Sequence, residues 1–419
     1  MSALTAAMGA ARAPRLALSV TLLVQTLAAV TLSVPSVIAP VMAPALGLPA
    51  QNVGWLISGI YLMAMLSGLN GGALVQRHGA IRLSQWALLG CTLGLVLLAI
   101  GHPLALLGAA LAMGVGYGLP NPTAADILSR HAPPDRRGLF FSIKQTGVPL
   151  GVAFGGLIVP ALLGLADWRT TLLVMAAPLL CITVALGAAR GALQVTTDAA
   201  PRSGGGSIAE VLRTRLIVPL RDVLVFAPTR RLALVSLVYA FTQVSFLTFL
   251  VSLLKLEHGH PLALAAGLLS ASQAVSVVAR IGWGHVSDRW LDPTILMGVL
   301  GLLMACGIAL LGLLPPSTPW PATLLVTMFC AATVVSWNGV FYADLVRHVP
   351  PSAVAQATGA TQFMTFLGGM TGGGVFAWLV GRTGSFASVY AAVAVLPAIA
   401  GALMLLSTRR TQPSNGTPT

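Results

Sequence analysis

Charge is what this sequence has least of. Charged residues make up 8% of its 419 positions, and only ten of them are aspartate or glutamate. A soluble domain carries about 25%, so this chain cannot cover a water-facing surface. Lysine occurs twice, at Lys144 and Lys255. Cysteine occurs four times, at Cys91, Cys181, Cys306 and Cys330, always inside an apolar run and never as a CxxC pair. That spacing leaves small core residues rather than disulfides or metal ligands. There is no GxxxxGK[ST] loop, no HExxH, no nucleophile elbow and no acidic cluster. Neither a metal nor another cofactor is expected.

What fills the chain instead is apolar. Hydrophobic residues make up 56%, and the mean hydropathy is +0.89. Runs long enough to span a bilayer lie near 16–39, 51–75, 83–101, 104–128, 139–164, 169–189, 232–254, 262–286, 294–314, 320–346, 354–381 and 386–407. A membrane helix needs about 20 apolar residues; strands of a barrel would be about ten residues long and alternating. The pattern predicts an all-α polytopic membrane protein of twelve spans. Arg12 and Arg15 precede the first run, which is longer than a signal-peptide core, so it is kept as a span.

The net charge of +13 does not form a nucleic-acid-binding stripe; the arginines sit in the gaps between runs. With the N-terminus inside, nineteen basic residues fall on the inner side, and only Arg169, Lys255 and Arg382 on the outer. The bias predicts both termini in the cytoplasm and contact with an anionic inner leaflet. The one long connector, 190–231, holds a linker-like stretch, "TTDAAPRSGGGS" (196–207). It also holds "IAEVLRTRLIVPLRDVL" (208–224), read as a surface-lying amphipathic helix interrupted at Pro219.

The chain repeats itself. "ADILSRHAPP" (125–134) returns as "ADLVRHVPP" (343–351), one residue shorter, and Gln145 and Gln362 each stand eleven residues past the closing proline. Gly151, Gly155 and Gly156 recur as Gly368, Gly372 and Gly373. "RLAL" (15–18) returns at 231–234, and "GALVQR" (72–77) answers "GHVSDR" (284–289). Six spans per copy make the copies parallel, with a cavity expected between them near mid-membrane.

On these features the chain resembles the major facilitator superfamily over essentially its whole length. The family's marker after the second span, Gly-x-x-x-Asp-Arg-x-Gly-x-Arg-Arg, reads here Gly72-Ala-Leu-Val-Gln76-Arg77-His78-Gly79-Ala-Ile81-Arg82. Gln76 replaces the acid and Ile81 a basic residue; the second copy, Gly284 to Asp288 and Arg289, keeps the acid. The resemblance implies two gating loops that latch the inner face. Asp288 is expected against the start of the fifth span near Gly138, and Gln76 against the start of the eleventh near Ser352, where a helix N-terminus favours negative charge. It also implies boundaries at 1–190, 191–230, 231–408 and 409–419 for the halves, linker and tail. No arginine lies in 103–128, and "GVPLGVAFGG" (147–156) matches the family's antiporter pattern only loosely.

Polar groups at membrane depth are costly and mark function by default. Lys144 has two readings, snorkelling to the inner interface or facing the cavity. Its repeat mate is Thr361, so the scaffold does not require the charge. Asp126 is a candidate partner, with pairing to Arg130 one turn away as the competing reading. Further cavity candidates are Gln25, Thr26, Asn121, Thr123, Gln145, Thr242, Gln243, Trp337, Asn338 and Gln362, with Tyr61, Tyr239 and Tyr342 as wall residues. For each, helix-to-helix hydrogen bonding is the competing role. "EHGH" (257–260) offers a metal or pH-sensing reading against ordinary loop histidines.

The sequence thus predicts a monomeric secondary transporter in the cell membrane, the inner membrane if the source is bacterial. Its expected partners are the bilayer, a small-molecule substrate and a coupling proton, and nucleic acid is not among them. Lys144 and the shortage of acids favour an organic anion. A proton-coupled exporter of amphipathic compounds, a membrane enzyme and a channel are the alternatives.

Overall fold

The computed structural model describes residues 2–133, 136–193, 213–350 and 354–409. Among them the regular structure is helical, and twelve helices are long and apolar enough to cross a bilayer. They are α1 (Ala13–Ala45), α2 (Ala50–His78), α3 (Ala80–Ile100), α4 (Pro103–His131), α5 (Leu139–Leu163), α6 (Trp168–Ala189), α7 (Ala227–Leu256), α8 (Leu262–Arg289), α9 (Pro293–Leu313), α10 (Trp320–Arg347), α11 (Ala357–Thr383) and α12 (Phe386–Ser407). Large apolar side chains on their outer faces stay exposed, among them Leu104, Val184, Val278 and Leu313. Exposed Leu and Val are stable there only against lipid tails.

The two halves are built alike, and the repeated glycines show why. Gly151 and Gly155 of α5 leave no room for a Cβ against α1, at Thr26, Ala29, Val30 and Ser33. Their mates Gly368 and Gly372 of α11 do the same against the backbone of α7 at Leu237 and Phe241. Close backbone approach of this kind is how helices pack where lipid removes the hydrophobic drive. The third pair crosses between halves: Gly156 meets α8 at Ala266 and Ser270, and Gly373 meets α2 at Gly54 and Ser58. One pseudo-two-fold axis therefore relates α1–α6 to α7–α12.

Contacts between halves gather at the end of the bundle opposite the connector. Ser58 Oγ of α2 donates to Met370 O of α11. Ser270 Oγ of α8 donates to Ala153 O of α5 (2.9 Å). Nearer mid-depth, Tyr61 of α2 meets Tyr117 of α4 and Phe366 of α11 edge-on, and the latter two are tilted to each other, with ring centroids 5.8–6.4 Å apart.

At the connector end the gating residues stand apart. Gln76, Arg77, Arg82, Asp288 and Arg289 are exposed and make no hydrogen bond or ion pair among the described residues. Asp288 therefore does not hold the start of α5 in this conformation, so the latch that the family resemblance implies is not engaged here; Ser352, the partner expected for Gln76, lies outside the described residues. Gly79, with φ +82°, makes the one-residue turn from α2 to α3, a conformation glycine adopts without strain. In the connector a π-helical turn, Arg213–Ile217, runs on into α-helix Val218–Val225, and Pro219 lies where the pattern changes. Residues 208–212 lie outside the described residues.

Candidate functional site

Four spans are broken near mid-depth or toward the connector end, and three of the breaks converge. Helix α4 is interrupted at Leu119, before Pro120 and Pro122. Helix α5 is interrupted at Thr146, and α10 at 335–337. The fourth break, at Ala394 in α12, lies apart from these. A break frees carbonyls that a lipid-embedded helix must satisfy some other way. In α5 the cause is plain: Pro149 stands four residues past Gln145 and has no N–H to give it. In α10, Trp283 Nε1 of α8 donates to Ala332 O (2.7 Å). Ser336 Oγ turns to Ser276 O of α8 (3.0 Å).

Arg280 of α8 closes this arrangement. Its Nη2 donates to Val335 O at the α10 break (2.9 Å), and its Nη1 to Gln145 O at the α5 break (3.3 Å). The guanidinium thus joins the halves through two carbonyls at the C-terminal ends of half-helices, where the helix dipole favours a cation. Its Nε has no partner. Tyr117 of α4 and Tyr342 of α10 lie within electrostatic reach of it. In the repeat register of the gating loops its mate is Gly68, so the scaffold does not need this charge either. In the sequence Arg280 is one of the nineteen inner basic residues and nothing more, because it lies nine residues from the end of its span.

Lys144 precedes Gln145 and is 2% exposed. It does not snorkel: Nζ donates to Asn121 Oδ1 at 2.6 Å, in the first turn after the α4 break. Asp126 is not its partner; Arg130 takes that carboxylate through Nε and Nη2 at 3.0 and 2.8 Å. Neither Lys144 nor Arg280 has an acid partner among the described residues. Two basic side chains, one from each half, are therefore held by neutral oxygens, and Arg280 bonds the carbonyl of the residue that follows Lys144. In the second half Asn338 follows the α10 break directly, one place away from the register of Asn121, and Thr361 stands in place of the lysine.

The remaining candidates divide. Gln25 and Thr26 of α1 pack on Gly147, three residues from Lys144; Gln25 Oε1 is buried without a partner, while Thr26 Oγ1 donates to its own helix. Tyr342 Oη donates to Gln362 Oε1 (2.8 Å), which places Gln362 beside the arginine's tyrosine. Thr123 and Thr242 donate to carbonyls of their own helices. Trp337 is 1% exposed and donates from Nε1 to Gln243 Oε1 (2.9 Å); it wedges the α10 break rather than lining open space. Tyr239 is not a wall residue: it is fully buried and donates to Met297 O of α9 (2.6 Å).

Twelve spans in two parallel six-helix copies, with a polar, cationic centre between them, define a membrane carrier fold. The sequence profile of the Major Facilitator Superfamily matches residues 21–373, and the chain belongs to that family. The 3-(3-hydroxy-phenyl)propionate transporter of Escherichia coli is 27% identical over 312 residues, 73% of this chain and 68% of that one. Human monocarboxylate transporter 11 is 29% identical over 391 residues, 88% of this chain and 77% of that one. The match spans 60% of the length of two uncharacterised transporters of Mycobacterium tuberculosis. Among solved structures, a bacterial homolog of the human lysosomal transporter Spinster, inward-facing and unoccupied, superposes with a TM-score of 0.71 at 18% identity. That match covers 96% of this chain and 99% of the other. The family and its relatives are transporters of small molecules, so the membrane-enzyme alternative falls away.

Proposed function

We propose that this chain carries a small organic anion, a carboxylate, across the cell membrane by alternating access, binding it between Lys144 and Arg280. One observation carries the reading: a basic side chain from each half is buried in the spans with only neutral oxygens for company, and Arg280 bonds the carbonyl of the residue next to Lys144. Charges inside a membrane cost about 2.5–3.5 kcal/mol each by insertion measurements and are kept where they act. A carboxylate is a stronger ligand for guanidinium than a backbone carbonyl is, and it accepts the bidentate fork. The printed names of two relatives, a phenylpropionate and a monocarboxylate transporter, are of the same chemistry.

The remaining assignments follow from this reading. Asn121, Gln145, Gln25, Gln362 and Tyr342 shape the site, and Asn338, Gln243 and Trp337 support it from α7 and α10. The connector end faces the cytoplasm on this reading, which the inner excess of arginine supports. The conformation is then the inward-facing one, with latches undone inside and helices packed outside. The halves are 1–190 and 231–408, and a single chain supplies every site residue, so a monomer suffices.

A thermal-shift panel of carboxylates, amino acids, sugars and cationic drugs tests it. A carboxylate should raise the melting temperature of the wild type and not of Arg280→Gln. Stabilisation by cationic compounds alone contradicts the reading.

A further inference from the structure

The repeated connector-end motif is one residue shorter in the second half, and that deletion changes its chemistry. In "ADILSRH" Arg130 stands four places after Asp126 and pairs with it at the surface; the two side chains are 36% and 27% exposed. In "ADLVRH" the serine is missing. Arg347 is now three places on and turns away to Asp292 (2.7 Å). His348 has moved into the fourth place, with Nδ1 3.4 Å from Asp344 Oδ1 and 2.9 Å from Asp344 O.

The displaced acid is left in an unusual position. Asp344 is 0% exposed. Thr294 Oγ1 of α9 donates to its Oδ1 (2.8 Å), and Oδ2 has no partner. A buried carboxylate oxygen without a donor is costly. The same side chain lines a cavity of about 310 Å³ at the connector end, together with Arg231, Asp292, Arg347, His348 and Met404. Exposed Arg347 lies on its rim. The charged groups facing Asp344 can be named helix by helix. They are Arg231 from α7, Asp292 just before α9, Arg347 from its own helix and His348 just past that helix's end. Helix α8 ends nearby in exposed Asp288 and Arg289, and the described part of α11 offers none before Arg382.

We propose that Asp344 is a proton-binding site, loaded from the solution at the connector end through this cavity, with the proton on Oδ2. The proton comes from water, neutralises the carboxylate, and gives the unpartnered oxygen a hydrogen to donate; no other bond changes. Below the α10 break, the helix Asn338–Arg347 joins this acid rigidly to the break whose Val335 carbonyl holds Arg280. Proton occupancy and the state of the anion site thus share one element. The link to transport rests on the carrier reading; the proton site does not.

Infrared titration of the full-length protein in lipid nanodiscs, without substrate, tests it. A protonated-carboxyl band should grow as the bath goes from alkaline to mildly acidic, survive Asp126→Asn, and vanish in Asp344→Asn. Should Asp344→Asn fail to fold, Thr294→Val serves. Loss of the hydroxyl donor should move the midpoint to more alkaline pH by about half a unit or more. Absence of the band, its persistence in Asp344→Asn, an unmoved midpoint in Thr294→Val, or erasure by sodium at constant pH overturns the proposal. A failed titration leaves counterflow of the anion untouched, and failed counterflow leaves the band, so the two readings fail separately.

Discussion

Arg280 is held by two backbone carbonyls, and these can be exchanged for a charged ligand at a net gain. Hydrogen bonds to charged groups contribute about 1.5–3 kcal/mol, so Arg280→Gln should weaken carboxylate binding roughly 10- to 100-fold. Arg280→Lys should recover only part of this, because an ammonium lacks the planar fork; isothermal titration with the carboxylate found by thermal shift measures both. At the opposite end, His258 is 8% exposed and neither ring nitrogen has a partner. Burial, and then neighbouring His260, hold its pKa below the ordinary histidine value, against the pull of Glu257. The unfolded chain therefore binds the proton more tightly than the folded one. Stability from His258 is complete above about pH 6.5 and is lost as pH falls through the lower folded value. The melting temperature should drop across that interval, and His258→Asn should flatten the slope. Lys144 was legible as a lone cation inside an apolar run. Arg280 was not, because position along a span does not say which way a side chain turns; the usable clue was Pro149, which frees the carbonyl Arg280 takes.

At the scale of elements, the breaks in α4, α5 and α10 hold the site, and α5 offers the sharpest test. Pro149→Ala restores an N–H four residues past Gln145, which should bond that carbonyl and release Nη1 of Arg280. Labelling of Arg280 by an arginine-specific dicarbonyl should then run faster than in the wild type; an unchanged rate would separate Gln145 from Arg280. The glycine spacing was readable in advance, because six glycines recur at one displacement and each pair packs on equivalent helices. Gly372→Leu should cost about 1–3 kcal/mol through overpacking against Phe241, seen as a lower melting temperature. The roles of Trp337 and Tyr239 were not readable: an aromatic residue with a polar tip suits a cavity wall and a buried wedge equally, and only the identity of its acceptor distinguishes them.

For the whole molecule, the duplication announced the fold because helices that recur in the same order and direction must pack the same way. The conformation was a different matter. On the carrier reading, Gln76 and Asp288 belong to loops proposed to engage in one state and part in the other, and the same residues encode both. Substituting Gln76→Asp returns a charge to the first loop, worth about 0.3–1 kcal/mol against a helix N-terminus. The closed population at the connector end should rise roughly two- to five-fold, read as a shorter distance between spin labels at Ala125 and Val346. The account as a whole depends on an anion passing between Lys144 and Arg280, and counterflow in proteoliposomes tests that most directly. Labelled carboxylate should accumulate against unlabelled carboxylate inside vesicles with the wild type, and not with Lys144→Ala or Arg280→Gln although both remain folded. Undiminished counterflow in either variant would contradict it.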